Sequence, residues 1–169
     1  MLDYFRKTLS STALNILARL SHGFRKLFSR TTSQQPESKL SLTVHDDESL
    51  SRMIYSRRHY AATKGASFAL FLPRPVGGNF ETSVFRTDGL DKVAVKSFGH
   101  LTTRTQALKG WVNLFAREIR NCELSVVSTP QSHIRHADIV DWPMEESARH
   151  LKALELAKLA TVQRLVILS

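Results

Sequence analysis

Cysteine is almost missing from this 169-residue chain. Cys122 stands alone, which excludes an intramolecular disulfide framework and any cysteine-based zinc cluster. A reducing compartment suits such a chain, and Cys122, in AREIRNCELSVV beside an expected strand, reads as a small packing residue. No run of about 18 consecutive apolar residues occurs, so no transmembrane helix is expected. Gly77-Gly78 sits in neither a GxxxxGK loop nor a GxGxxG loop, which would ring a phosphate with backbone amides, and Ser83 sits in no GxSxG elbow. HExxH is also lacking. Neither a cofactor nor a resident metal is expected.

Acidic residues are scarce at one end. Residues 1–30 hold Arg6, Lys7, Arg19, Arg25, Lys26 and Arg30 against Asp3 alone, so this stretch carries +5 of the formal +9. The remaining 139 residues hold 18 basic and 14 acidic side chains and are only mildly basic. A positive excess favours nucleic acid, anionic lipid or another acidic surface without choosing among them.

Leu2, Phe5, Leu9, Ala13, Ile16, Leu17, Leu20 and Phe24 recur at three- and four-residue spacing, which predicts a basic amphipathic helix over residues 2–28. Three roles compete for it: docking on its own domain or a protein partner, lying on an anionic membrane surface, and organelle targeting. TTSQQPESK, residues 31–39, reads as a linker, so the organisation expected is a helix over 1–30, the linker, and one domain over 40–169. Within that domain, LSLTV (40–44) alternates like an edge strand, and Asp46 or Asp47 suits the cap of a short helix through Tyr55. SFALFL (67–72) and TSVFR (82–86) read as strands joined through a Pro/Gly turn cluster. LDKVAVKSF (90–98) fits strand or helix equally. WVNLFA and LSVV read as strands bridged by a helical piece with Arg117, Glu118 and Arg120. Met144–Ala160 is the strongest helix, with Ala148, Leu151, Leu154, Leu156 and Leu159 together with Ala153 and Ala160 as its buried face, and RLVIL either prolongs it or adds a strand. The fold class expected is α+β: a small mixed or antiparallel sheet with a C-terminal helix packed on it, preceded by the separate N-terminal helix.

Two segments concentrate chemistry. Arg52–Arg86 holds Arg52, Arg57, Arg58, His59, Lys64, Arg74 and Arg86 against Glu81 as its acid, and guanidinium forks suit phosphates and carboxylates. STPQSHIRHADIVDWP holds His133, Arg135, His136, Asp138 and Asp141. His133, His136 and a carboxylate match a metal ligand set in type, but the flanking prolines argue against the helix that their spacing would need. Were the two segments to meet, His59 and His136 would supply an acid/base pair and Arg86 an oxyanion stabiliser, enough for metal-independent phosphodiester chemistry.

The order of YSRRHY, FALFLP, TSVFR before an Asp-Gly turn, and RHADIVDWP ahead of a Leu/Ala-rich helix resembles a group of small uncharacterised bacterial proteins, over Leu50–Ala160. The resemblance implies that both segments belong to one domain and that the setting is the bacterial cytoplasm; it brings no function with it, and membrane association at the inner face is an expectation that rests on residues 2–28. The leading expectation is a domain binding an anionic ligand, nucleic acid or a nucleotide, through Arg57, Arg58, His133 and Arg135 around His59, His136 and Arg86. The alternatives are an enzyme using His59 and His136, and an adaptor acting through its N-terminal helix.

Overall fold

The computed structural model describes residues 40–61, 65–102 and 106–164. The expected N-terminal helix and the linker lie outside the described residues. The described elements belong to one compact unit, Leu40–Ser169. Its fold is α+β, an antiparallel sheet with a C-terminal helix packed against it.

The strands are β1 (Ser49–Ile54), β2 (Tyr60–Ala61), β3 (Gly65–Ala66), β4 (Arg74–Val76), β5 (Asn79–Arg86), β6 (Gly110–Phe115), β7 (Ser125–Ser128), β8 (His136–Val140) and β9 (Thr161–Arg164). The helices are α1 (Lys92–Leu101), α2 (Ala116–Asn121) and α3 (Glu146–Leu159). The main sheet runs β7-β8-β5-β1-β6-β9, β4 folds back on the start of β5, and β2 pairs with β3 separately. Gly77 and Gly78, at φ 55° and 86°, form the two-residue β4–β5 loop. Two successive positive φ values match the twist of a hairpin, and glycine adopts them at least cost.

Register assigns every strand residue to a face. Leu50 opposes Leu114 and Arg86, while Ser51 opposes Asn113 and Phe85. Leu50, Ile54, Val84, Val112, Ala137 and Ile139 therefore share one face, against which α3 sets Ala153, Leu156 and Ala157. The opposite face carries Met53 and Trp111 under Val95 of α1 and Leu108, with Phe85 and Phe98 alongside. Asp91 caps α1, its Oδ1 accepting the Ala94 N–H at 2.8 Å. Gly99 lets the helix come close, since a Cβ there would stand 2.8 Å from Leu108 Cδ2 and 3.1 Å from Met53 Sδ.

Several local expectations change. Ser49–Ile54 is a strand, not the helix expected from the Asp46 and Asp47 caps: β1 lies between β5 and β6 with both faces covered, so its alternation disappears. SFALFL is no strand. Ser67 caps a 3-10 turn over Phe68–Leu70, which delivers Leu70 and Phe71 to the core. Residues 40–44 are irregular because the Ser41 and Thr43 carbonyls accept from Arg86 rather than from a neighbouring strand. LDKVAVKSF resolves as α1, and the start of RLVIL as the end of β9. On α3 the buried stripe is Ala153-Leu156-Ala157, and Leu151, Leu154 and Leu159 face outward. Small residues at the contact let the helix backbone approach the sheet, which rotates the larger leucines away.

Candidate functional site

Arg86, expected to stabilise an oxyanion, is a clamp within the fold. It is 2 % exposed, and Nε and Nη2 grip both carboxylate oxygens of buried Glu48. Its other donors go to the carbonyls of Ser41 and Thr43 and to Ser128 Oγ. A guanidinium with every edge taken by protein acceptors has nothing to offer a ligand. Arg52 is engaged similarly, donating through Nε to the Leu70 carbonyl at 2.9 Å and through Nη1 to the Ser83 carbonyl. It thereby ties the 3-10 turn to β1 and β5 where those strands diverge. Burial, then the repulsion of Arg74, pulls its pKa down to about 10, against the opposing pull of Asp138 and Tyr55.

Arg57 and Arg58 are exposed on a 3-10 turn over Arg57–His59. That turn packs on the Phe68–Leu70 turn, which packs on α3. His59 consequently sits among elements of the α3 side. Its Nδ1 is buried without a hydrogen-bond partner, and burial, then the field of Arg52, pushes its pKa below the ordinary histidine value. His136, in contrast, pairs with Phe85 across β8 and β5 and belongs to the α1 face. His59 thus stands on the 3-10 turn and His136 on β8, and the Arg52 guanidinium acts on the His59 ring and feels the Asp138 carboxylate that lies beside His136.

What the fold does assemble is a corner at the β7–β8 turn. His136 and Asp138 are two apart on β8 and share a face. Thr129, just past β7, is bound into the turn by its N–H to the His136 carbonyl at 3.0 Å. Its hydroxyl donates to Asp138 Oδ2 at 2.6 Å and lies 2.7 Å from His136 Nδ1. A carboxylate accepts and does not donate, so the hydroxyl proton goes to Asp138 and the lone pair of Oγ1 must take the His136 Nδ1–H. Asp138 Oδ2 is itself 3.5 Å from that nitrogen, and the Thr129 carbonyl is 3.3 Å away. The tautomer is thereby fixed, with Nε2 as the working nitrogen. Asp138 is 4 % exposed, and its Oδ1 is buried with no hydrogen-bond partner.

Rings flank this corner edge to face: His136 on Phe85 at 5.4 Å, Phe85 on Phe98 at 4.9 Å, and Phe98 on His133 at 4.7 Å between centroids. His133 is exposed, and its Nδ1 accepts the Arg135 N–H at 3.0 Å. Arg135 donates through Nη1 to the Arg86 carbonyl at 3.0 Å. The structure thus brings His133, Arg135 and His136 together, and holds Arg57, Arg58 and His59 on the 3-10 turn. Thr129 was the residue that sequence reading missed; a hydroxyl beside a proline at a strand end is a common turn residue, and only the hairpin register sets it over His136 and Asp138.

Among the described residues no group of three or more His, Cys, Asp or Glu side chains is placed to hold a metal ion, and no helix is long and apolar enough to cross a membrane. A pocket of about 150 Å³ at the far end of β8, lined by Phe80, Glu81, Asp141 and Trp142 among others, contains none of the histidines. No protein-family model matches the chain, and no curated protein or solved structure matches it either.

Proposed function

We propose that this domain binds a phosphate-bearing ligand of the nucleotide or single-stranded nucleic-acid type at the β7–β8 corner. The observation that supports this reading is the Thr129 hydroxyl between Asp138 and His136, which orients the imidazole and backs it with a carboxylate. A histidine held in that way keeps its Nδ1–H on Thr129, and in its protonated form it also donates Nε2–H to a phosphate oxygen. Arg135 and exposed His133 add positive character beside it, and the Phe98–His133 edge offers ring surface to a base. The same Thr129 contact favours a second reading, an enzyme in which His136 acts as the lone acid/base group on a phosphodiester or nucleotide. Adaptor and membrane roles belong to residues 2–28, outside the described residues.

The test is fluorescence anisotropy of a labelled single-stranded oligonucleotide titrated with the full chain over a salt series. Binding that weakens steeply with salt is expected. His136→Ala with Arg135→Ala should lose about tenfold or more in affinity, the scale of a lost charge-assisted hydrogen bond. Arg57→Ala with Arg58→Ala should keep the domain's share of binding. Absent or salt-insensitive binding, or loss only in the Arg57/Arg58 variant, refutes the assignment. Shortening of the oligonucleotide by the wild-type chain and not by His136→Ala would mark the enzymatic reading.

A further inference from the structure

Two guanidinium groups meet at Ser83. Arg52 donates through Nη1 to its carbonyl, and Arg74 donates through Nη2 to its Oγ at 3.2 Å. The backbone dictates both approaches. β5 pairs with β1 at Phe85 and Arg86 and with β4 from Asn79 to Glu81, and the Ser83 carbonyl between these pairings is the one that Arg52 takes. Arg74 stands in the sequence PRP, where Pro73 fixes its own φ and Pro75 holds the residue before it extended. The arginine is therefore presented from a stiff, exposed strand.

Like charges held against one residue repel unless an anion joins them. No carboxylate fills that role: among the described residues neither Arg52 nor Arg74 has an ion pair. Glu81 opposes Arg74 in register, yet Arg74 bonds to Ser83 instead. Asp138 opposes Ser83 on β8 and attracts Arg52, but its Oδ1 is buried without a hydrogen-bond partner. Arg52 bears the cost, its pKa lowered by burial and then by Arg74. Donors remain beside it. Arg74 uses Nη2 on Ser83, which leaves the N–H groups of Nε and Nη1, and the Ser83 hydroxyl that accepts from Arg74 keeps its own O–H to give.

We propose that Arg74 and Ser83, backed by the charge of Arg52, form a phosphate-binding site of their own. A guanidinium fork and a hydroxyl match the oxygens of a phosphate group, and the phosphate charge offsets the repulsion between the two arginines. Ser83 lies on the strand next to His136 and Asp138, but the site shares no residue with the β7–β8 corner and stands without that reading.

Thermal unfolding of the full chain against inorganic phosphate is the test, because a ligand bound by the folded chain alone raises the midpoint by mass action. With ionic strength held constant by sodium chloride, the wild-type midpoint should rise with phosphate. Arg74→Gln alters an exposed side chain and should bind phosphate about tenfold or more weakly, the scale of a lost charge-assisted hydrogen bond. Ser83→Ala should weaken binding by a smaller factor. Stabilisation by phosphate as an excluded salt acts on every variant alike and cancels in the comparison. His136→Ala with Arg135→Ala should keep the wild-type response. No response in the wild-type chain overturns the proposal, as does an equal response in Arg74→Gln. A response lost only in the His136/Arg135 variant also overturns it and gives the phosphate to the corner. Titrating Arg74→Gln with the labelled oligonucleotide separates the sources: unchanged affinity marks a site for free phosphate, and weakened affinity marks a phosphate of a bound strand.

Discussion

The two faces of one sheet differ in what they bury. Beneath α3, Leu50, Ile54, Val84, Val112 and Ile139 form an apolar layer closed by Leu156, and the buried polar groups that share this face by register, Thr82 and the Arg86 clamped to Glu48, are bonded within the fold. On the α1 side, Met53 and Trp111 make a smaller cluster, and around it lie polar groups: Ser51 Oγ bonded to Thr87 Oγ1 at 2.7 Å and to Asn113 Oδ1 at 2.8 Å, and the Thr129–His136–Asp138 corner. Alternate residues of the same strands supply both faces, so the strands cannot be the cause of the difference. The covering helices are. Fourteen-residue α3 meets the sheet through alanines and dries its face, whereas ten-residue α1 covers the middle strands and leaves the β7–β8 end to polar side chains. Stability concentrates on one face, and the chemistry that suits a ligand on the other.

The harshest way to disturb this division is at the clamp where the chain entering β1 meets the end of β5. Glu48→Ala leaves the Arg86 guanidinium buried without its carboxylate, and about 3–5 kcal/mol should be lost, read as a lowered urea midpoint at unchanged slope. Arg86 would then be shown as a stability residue by a loss of folding that ligand cannot rescue.

A paired truncation sharpens the contrast between faces. Ile139 is fully buried under α3 while Val127, on the adjacent strand but facing the α1 side, is 41 % exposed. Ile139→Ala should cost about 2–5 kcal/mol and Val127→Ala below about 1 kcal/mol. Equal costs would mean that the α1 face is as closely packed as the other.

The smallest effect concerns His59. Its folded pKa lies below the ordinary 6.5, first through burial and then through Arg52. Between the lowered value and about 6.5 the unfolded chain binds more protons than the folded one, so this contribution is fully present above about 6.5 and is lost as pH falls. Urea midpoints should therefore drop less between pH 7.5 and pH 5.5 in His59→Gln than in the wild-type chain. A steeper drop in the variant would contradict the burial of Nδ1.

Much of the fold was legible from short runs of strand-forming residues and from helical spacing. TSVFR, WVNLFA and LSVV are strands as expected, and the long C-terminal helix begins within two residues of its expected start. Reading failed at two segments. Ser49–Ile54 lost its alternation to double burial, and the apolar run SFALFL proved to be a turn that buries Leu70 and Phe71. At the candidate site, His133, Arg135 and His136 were readable as chemistry-bearing residues close in sequence. Thr129 was not, because its role exists only through the pairing of β7 with β8.

Composition and pattern by themselves determined an α+β chain with one thiol, its charge gathered at the N-terminal end, and two segments rich in Arg and His. Side-chain type and spacing carry that information locally. Whether a given arginine serves the fold or a ligand was decided by tertiary structure alone. Arg86 is spent on Glu48 because residues 38 positions apart meet, and Thr129 joins His136 and Asp138 because β7 pairs with β8.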